Sequence, residues 1–158
     1  MNVYVFLAIV TVFYAGYNLL IKVSGAHVPE TATSTILATI SLQLAALSVS
    51  TIFAAILLTR GGHSLALPPT AFVWAAAAGV CIGIAEIAYF YVFGGLGGTT
   101  ALPANVAIPT IVCGTIVITA LVSFFVFNEP LALRQILGTV VVGLGVLMIF
   151  WPDASTTG

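Results

Sequence analysis

The chain has 158 residues, of which 61% are hydrophobic and 4% charged, and its three basic and four acidic side chains leave a net charge of -1. A typical soluble domain carries about 25% charged residues, and a nucleic-acid binder needs a basic footprint. With a mean hydropathy of +1.27, a soluble enzyme, a disordered chain and a nucleic-acid-binding module are excluded as readings, and lipid is the expected solvent of an all-α integral membrane protein.

A spanning helix takes about 20 apolar residues. The first such run predicts a helix over 3–22, closed by Lys22 and the polar stretch from Ser24 to Glu30. No positive side chain precedes it and no small-residue cleavage site follows, so it reads as a retained first helix and not a signal peptide. Thr11, Tyr14, Asn18 and Lys22 recur at i, i+3, i+7 and i+11 and make one polar stripe on it. The stripe is either a wall of a substrate cavity or a set of interhelical hydrogen bonds. At the helix end, Lys22 can snorkel to the interface.

The second run predicts a helix over 31–59. Its Thr- and Ser-rich beginning suits an interface or a wet cavity, and Gln43, on one face with Thr39 and Ser50, is a cavity candidate. Arg60-Gly61-Gly62-His63 breaks it.

Pro68-Pro69 opens the third helix, expected over 69–93. It contains Glu86, the one acidic side chain expected within a span. Gly79, Gly83, Glu86 and Phe90 share a face, and the Gly79/Gly83 pair lets a neighbouring backbone approach closely. Glu86 is therefore expected to point into the bundle. An ionisable group at membrane depth is a candidate for exchanging a proton or holding a cation. The plain structural alternatives are a Glu86 paired with Lys22 or a protonated Glu86 bonded to a neighbouring tyrosine. Trp74, Tyr89, Phe90 and Tyr91 read as interfacial anchors, with Tyr89 also close enough in sequence to share the cavity of Glu86.

The loop Gly94-Gly95-Leu96-Gly97-Gly98 precedes a fourth helix expected over 99–127, with Pro103, Asn105 and Pro109 inside it. Each proline removes a backbone donor and frees a carbonyl about four residues earlier. Freed backbone at membrane depth must line a cavity or be covered by protein. Pro103 and Pro109 are thus candidates for a helix break and a gate, and Asn105 for the cavity wall. Asn128-Glu129-Pro130 reads as the start of a fifth helix over 130–151, with Asn128 as its cap. Gly138, Gly143 and Gly145 give that helix a small face for packing, and Pro152 and the tail 153–158 close the chain.

The organisation expected is a single five-helix transmembrane domain over 1–158 with its termini on opposite sides. Cys81 and Cys113 lie in apolar runs and read as buried small hydrophobes. His27 and His63 read as solvated loop histidines. No P-loop, metal-ligand cluster or nucleophile–base pair is visible in the sequence, so no enzyme activity, cofactor or metal is expected. Arg60 and Arg134 fall on the N-terminal side of the membrane and Lys22 on the other. A two-to-one split hardly selects an orientation, which opens the reading of a chain that inserts both ways.

From helix three onward the sequence resembles the second part of an EamA-type unit of the drug/metabolite transporter superfamily. The resemblance rests on Tyr89-Phe90-Tyr91 before a small-residue loop, on Pro109, on Glu129-Pro130, and on Arg134-Gln135 followed by Gly138 in a glycine-bearing last helix. The segment FYAGYNLLIK is similar to the family's opening helix. The resemblance implies a small-molecule transporter of the inner or plasma membrane. Most members carry two five-helix repeats in opposite orientation, whereas this chain holds one. It would need a second copy, inserted upside down, to rebuild the inverted repeat. The four-helix multidrug members place their membrane glutamate in the first helix, so their mechanism does not carry over to Glu86.

These readings combine into the expectation of a multi-pass secondary transporter, an exporter of a small metabolite or drug-like molecule, working in the bilayer as an antiparallel homodimer by alternating access. Glu86 would couple protons or recognise a cation, with Tyr14, Asn18, Gln43, Tyr89 and Asn105 lining the cavity. The alternatives are a subunit of a heteromeric exporter or lipid-carrier flippase, paired with a similar five-helix chain, and a membrane scaffold without transport.

Overall fold

The computed structural model describes residues 2–62, 64, 66–95 and 100–149. Among these residues the chain is all-helical, with α1 Val3–Gly25, α2 Ala32–Arg60, α3 Pro69–Gly94, α4 Ala104–Phe125 and α5 Leu133–Ile149. The first four are long and apolar enough to cross a membrane, while α5 has 17 described residues. Its expected end at 151, the tail, His63, residues 96–98 of the glycine loop and the expected start of the fourth helix at 99 lie outside the described residues. The chain divides into two compact units, Met1–Leu102 and Pro103–Gly158.

In the first unit the sequence punctuates its helices with local chemistry. Asn2 caps α1 by accepting the Tyr4 N–H at 3.2 Å, and Thr31 caps α2 by accepting the Ser34 N–H at 3.2 Å. Pro69 occupies the first turn of α3, where its missing N–H costs no bond. Two glycines at positive φ close helices: Gly61 (φ 74°) ends α2 and Gly95 (φ 67°) ends α3, its N–H donating to the Tyr91 carbonyl at 3.1 Å.

α3 packs against both α1 and α2. Two contacts fix its register on α1. Tyr17 meets Glu86, and Gly25 meets Phe93, where a Cβ on the glycine would stand 3.1 Å from the Phe93 Cβ. The two pairs advance together along both chains, so α1 and α3 run parallel. Only a glycine at position 25 permits this approach without displacing Phe93.

The outer faces of the three helices carry large apolar side chains such as Leu19, Phe53 and Trp74, all exposed. Cys81 is among the exposed residues and Cys113 is partly exposed, which corrects the expectation that both are buried. In helices whose outer surfaces are themselves apolar, an apolar run does not identify the inward face. Phe90 corrects the anchor reading in the opposite sense: it is 2% exposed, on the face it shares with Glu86.

In the second unit α4 packs against α5. α4 begins at Ala104 with Pro103 as its cap residue, so Pro103 stands before the helix and Pro109 alone stands within it. Asn128 is a correction. It has φ 54° and lies just after α4, in the left-handed conformation that asparagine tolerates better than other side chains. The Glu129 N–H donates to the Ser123 carbonyl at 3.0 Å, and Pro130 prevents the helix from continuing. The cue thus belongs to the end of α4. α5 starts three residues later than expected, where the Gln135 side chain reaches back to accept the Ala132 N–H at 2.7 Å, half of a capping box.

Candidate functional site

α1 and α2 flank a cleft floored by α3, with a volume of about 840 Å³. This falls within the range of small-molecule sites, about 300–1,000 Å³. α1 supplies Phe13, Tyr14 and Tyr17 to its wall, α2 supplies Leu42 and Gln43, and α3 supplies Gly79 and Glu86. A second groove of about 870 Å³ continues beside it toward Ser24, over Phe90, and shares Phe13, Tyr17 and Leu42.

Glu86 is 2% exposed. The Tyr17 hydroxyl donates to its Oε1, and its Oε2 has no hydrogen-bond partner among the described residues. Of the two structural alternatives read from the sequence, the tyrosine bond is the one formed. Lys22 instead places its Nζ 5.5 Å from the centre of the Phe93 ring, a cation–π distance. Tyr17 belongs to a row of edge-on aromatic rings. Its centroid lies 6.0 Å from that of Tyr14 and 6.3 Å from that of Tyr89, and Tyr89 is 5.7 Å from Phe93. The row runs from the cleft to the ring under Lys22.

Tyr14, Gln43 and Glu86 are therefore brought to one cleft. Tyr89 joins them through Tyr17, without itself lining the wall. Gln43 approaches α3 at Gly83, where a Cβ would stand 3.2 Å from its Nε2. At Gly79 a Cβ would meet nothing within 4 Å, so this glycine widens the cleft. Asn18 is 5% exposed, and its Oδ1, like Oε2 of Glu86, has no partner among the described residues. Thr11 and Ser50 bond carbonyls of their own helices at 2.8 and 3.2 Å, as hydroxyls in helices commonly do. Thr39 does the same at 3.0 Å, and with Thr35 it is buried against the unit's interior.

The remaining candidates lie in the second unit. Pro109 sits in the second turn of α4 and cannot donate to the carbonyl of Asn105, four residues earlier. The Asn105 side chain is exposed. Gly138, Gly143 and Gly145 all have open space where a Cβ would be, and Gly143 borders a groove of about 320 Å³ between α4 and α5.

Sequence reasoning missed Tyr17. Its signal was available, since it lies beside Asn18 and three residues after Tyr14. Choosing between the tyrosines, however, needs the rotation of α1 against α3. Among the described residues no cluster of three or more His, Cys, Asp or Glu could hold a metal. The chain shows no significant match to any protein-family model, to the curated proteins or to the solved structures.

Proposed function

We propose that the chain is a multi-pass protein of the inner or plasma membrane and a secondary transporter that exports a small metabolite or drug-like molecule. The observation that carries this reading is a buried carboxylate in the wall of an apolar cleft, between helices long enough to span a bilayer. A buried ionisable group in such helices is costly, and packing alone would be served by an apolar side chain. Glu86 is the group that exchanges a proton or holds a cation, and Tyr17 fixes its position.

One five-helix unit is half of the inverted repeat implied by the resemblance to EamA-type transporters. The weak, two-to-one bias of the basic residues supports completing it with a second copy in the opposite orientation, the two rocking about the cleft to give alternating access. The test is flux in proteoliposomes across a pH series. Transport by the intact protein changes with pH, and Glu86→Gln flattens that dependence. An unchanged pH profile removes Glu86 from the mechanism.

A further inference from the structure

The cleft at Glu86 has an unmet demand that defines the chemistry of its ligand. One carboxylate oxygen is held by Tyr17, and the other, enclosed by protein, lacks a donor among the described residues. A buried acceptor left unpaired is destabilising, so the ligand that fits best brings a donor to it. The aromatic row already accommodates one ammonium group, that of Lys22 over Phe93. At the other end of the row Tyr14 and Tyr17 stand in the cleft wall with Glu86. Among the described residues no basic side chain lines the cleft, and apart from these groups and Gln43 the described lining is apolar. An anion finds no counter-charge there. A metal cation finds a single carboxylate where calcium or magnesium takes six or more oxygen ligands.

We propose that the cleft binds a protonated primary or secondary amine with an apolar body. Its N–H groups donate to the Glu86 carboxylate, whose unpartnered Oε2 turns from its enclosed position toward the cleft, its charge is balanced by that carboxylate, and Tyr14 and Tyr17 attract it as cation–π partners. A quaternary ammonium satisfies the rings and the charge but has no hydrogen to give to the oxygen. The proposal names the ligand class of the cleft and rests on the transport reading only for the steps after binding.

The probes are 2-phenylethylammonium, its N-trimethyl derivative and neutral 2-phenylethanol, competed at neutral pH against labelled 2-phenylethylammonium on the full chain in lipid nanodiscs. The expected order has the primary ammonium ahead of each of the others by about tenfold or more, the worth of one charge-assisted hydrogen bond. Equal or tighter binding of the trimethyl compound or of the alcohol overturns the proposal, as does absence of binding by the primary ammonium. Glu86→Gln, which can still accept from Tyr17, is expected to abolish the preference for charge. Glu86→Asp, with helix content checked by circular dichroism, is expected to retain it. A Glu86→Gln protein that keeps the original order overturns the assignment to this carboxylate. Counterflow of the labelled amine into proteoliposomes is read separately. The expected order without counterflow supports the binding site and removes transport from it, while counterflow without the order overturns the amine assignment and leaves transport standing.

Discussion

The Tyr17 hydroxyl donates to the Glu86 carboxylate across the α1–α3 seam, joining residues 69 positions apart in the sequence. Tyr17→Phe removes the donor and leaves both carboxylate oxygens without a partner among the described residues. Interhelical hydrogen bonds in membranes average about 0.6 kcal/mol, so the loss in thermal stability in detergent is expected to be small. The functional effect should be larger, because the carboxylate loses its orientation. A Tyr17→Phe protein that melts close to the wild type yet shows strongly reduced flux separates positioning from packing, and unchanged flux would show that the bond serves packing alone.

The pH dependence has a definite sign if Glu86 binds a cation. Acidification protonates the carboxylate and removes the negative charge, so affinity for a permanently charged or protonated ligand falls as pH falls. Raising the pH restores it until the ligand itself deprotonates. Glu86→Gln has no such proton to gain or lose, and its residual binding should be flat over the acidic arm. Equilibrium binding at a series of pH values measures this directly.

The close approach of Gly25 to Phe93 gives a prediction about packing. A methyl at position 25 would stand 3.1 Å from the Phe93 Cβ and 3.6 Å from its carbonyl carbon, atoms that cannot rotate away. Gly25→Ala must push α1 from α3 at that level, at a cost of about 1–3 kcal/mol for overpacking. Gly83→Ala meets only the amide end of Gln43 at 3.2 Å, which can swing aside. Gly79→Ala meets nothing. Thermal unfolding of the three variants should rank Gly25→Ala as clearly the least stable.

Much of the helical framework is legible in the sequence because its boundaries are written in residues with one strong local meaning. Pro68-Pro69 opens α3, Gly61 ends α2, and the expected limits of the first three helices fall within three residues of those found, whereas α4 begins five residues later than expected. The start of α5 is not legible in the same way. Asn, an acid and a proline suit the beginning of a helix, but asparagine in the left-handed conformation followed by proline suits an ending equally well. The tertiary course of the chain selects the second. For the cleft, Glu86 is legible as a lone acid in an apolar helix, and Tyr14 and Gln43 follow from helical periodicity. Tyr17 is not, because periodicity gives the face of one helix and not its rotation against the next. That rotation is set by the contact of Gly25 with Phe93.

Pro109 supplies a prediction about α4. It withholds the N–H that would otherwise bond the Asn105 carbonyl, and Pro109→Ala restores it. Proline in a helix interior is less favourable than alanine by about 3 kcal/mol in water, so the variant should melt higher, by an amount reduced where the surroundings already satisfy that carbonyl. If the break in α4 is part of gating, the stabilised protein transports more slowly at unchanged binding affinity. Equal flux in Pro109→Ala would leave the proline as a kink alone. The comparison is informative because a proline retained for shape and one retained for motion have the same effect on melting and different effects on rate.

The cap of α5 gives the last prediction. Gln135 accepts the Ala132 N–H through its side chain, and Asn128 turns the chain at φ 54°. Gln135→Ala leaves that N–H without its acceptor and should destabilise the second unit by about 0.5–2 kcal/mol, the range for losing a helix cap. At position 128, glycine accepts the left-handed conformation, whereas valine is penalised by about 1–2 kcal/mol. Hydrogen exchange over α5 should therefore quicken in Gln135→Ala and Asn128→Val and stay close to wild type in Asn128→Gly. If Asn128 instead capped α5 through its side chain, serine, which keeps a side-chain oxygen, would hold the wild-type protection, whereas in the left-handed conformation serine is penalised. Exchange in Asn128→Ser, compared with Asn128→Gly, thus decides which helix the asparagine serves.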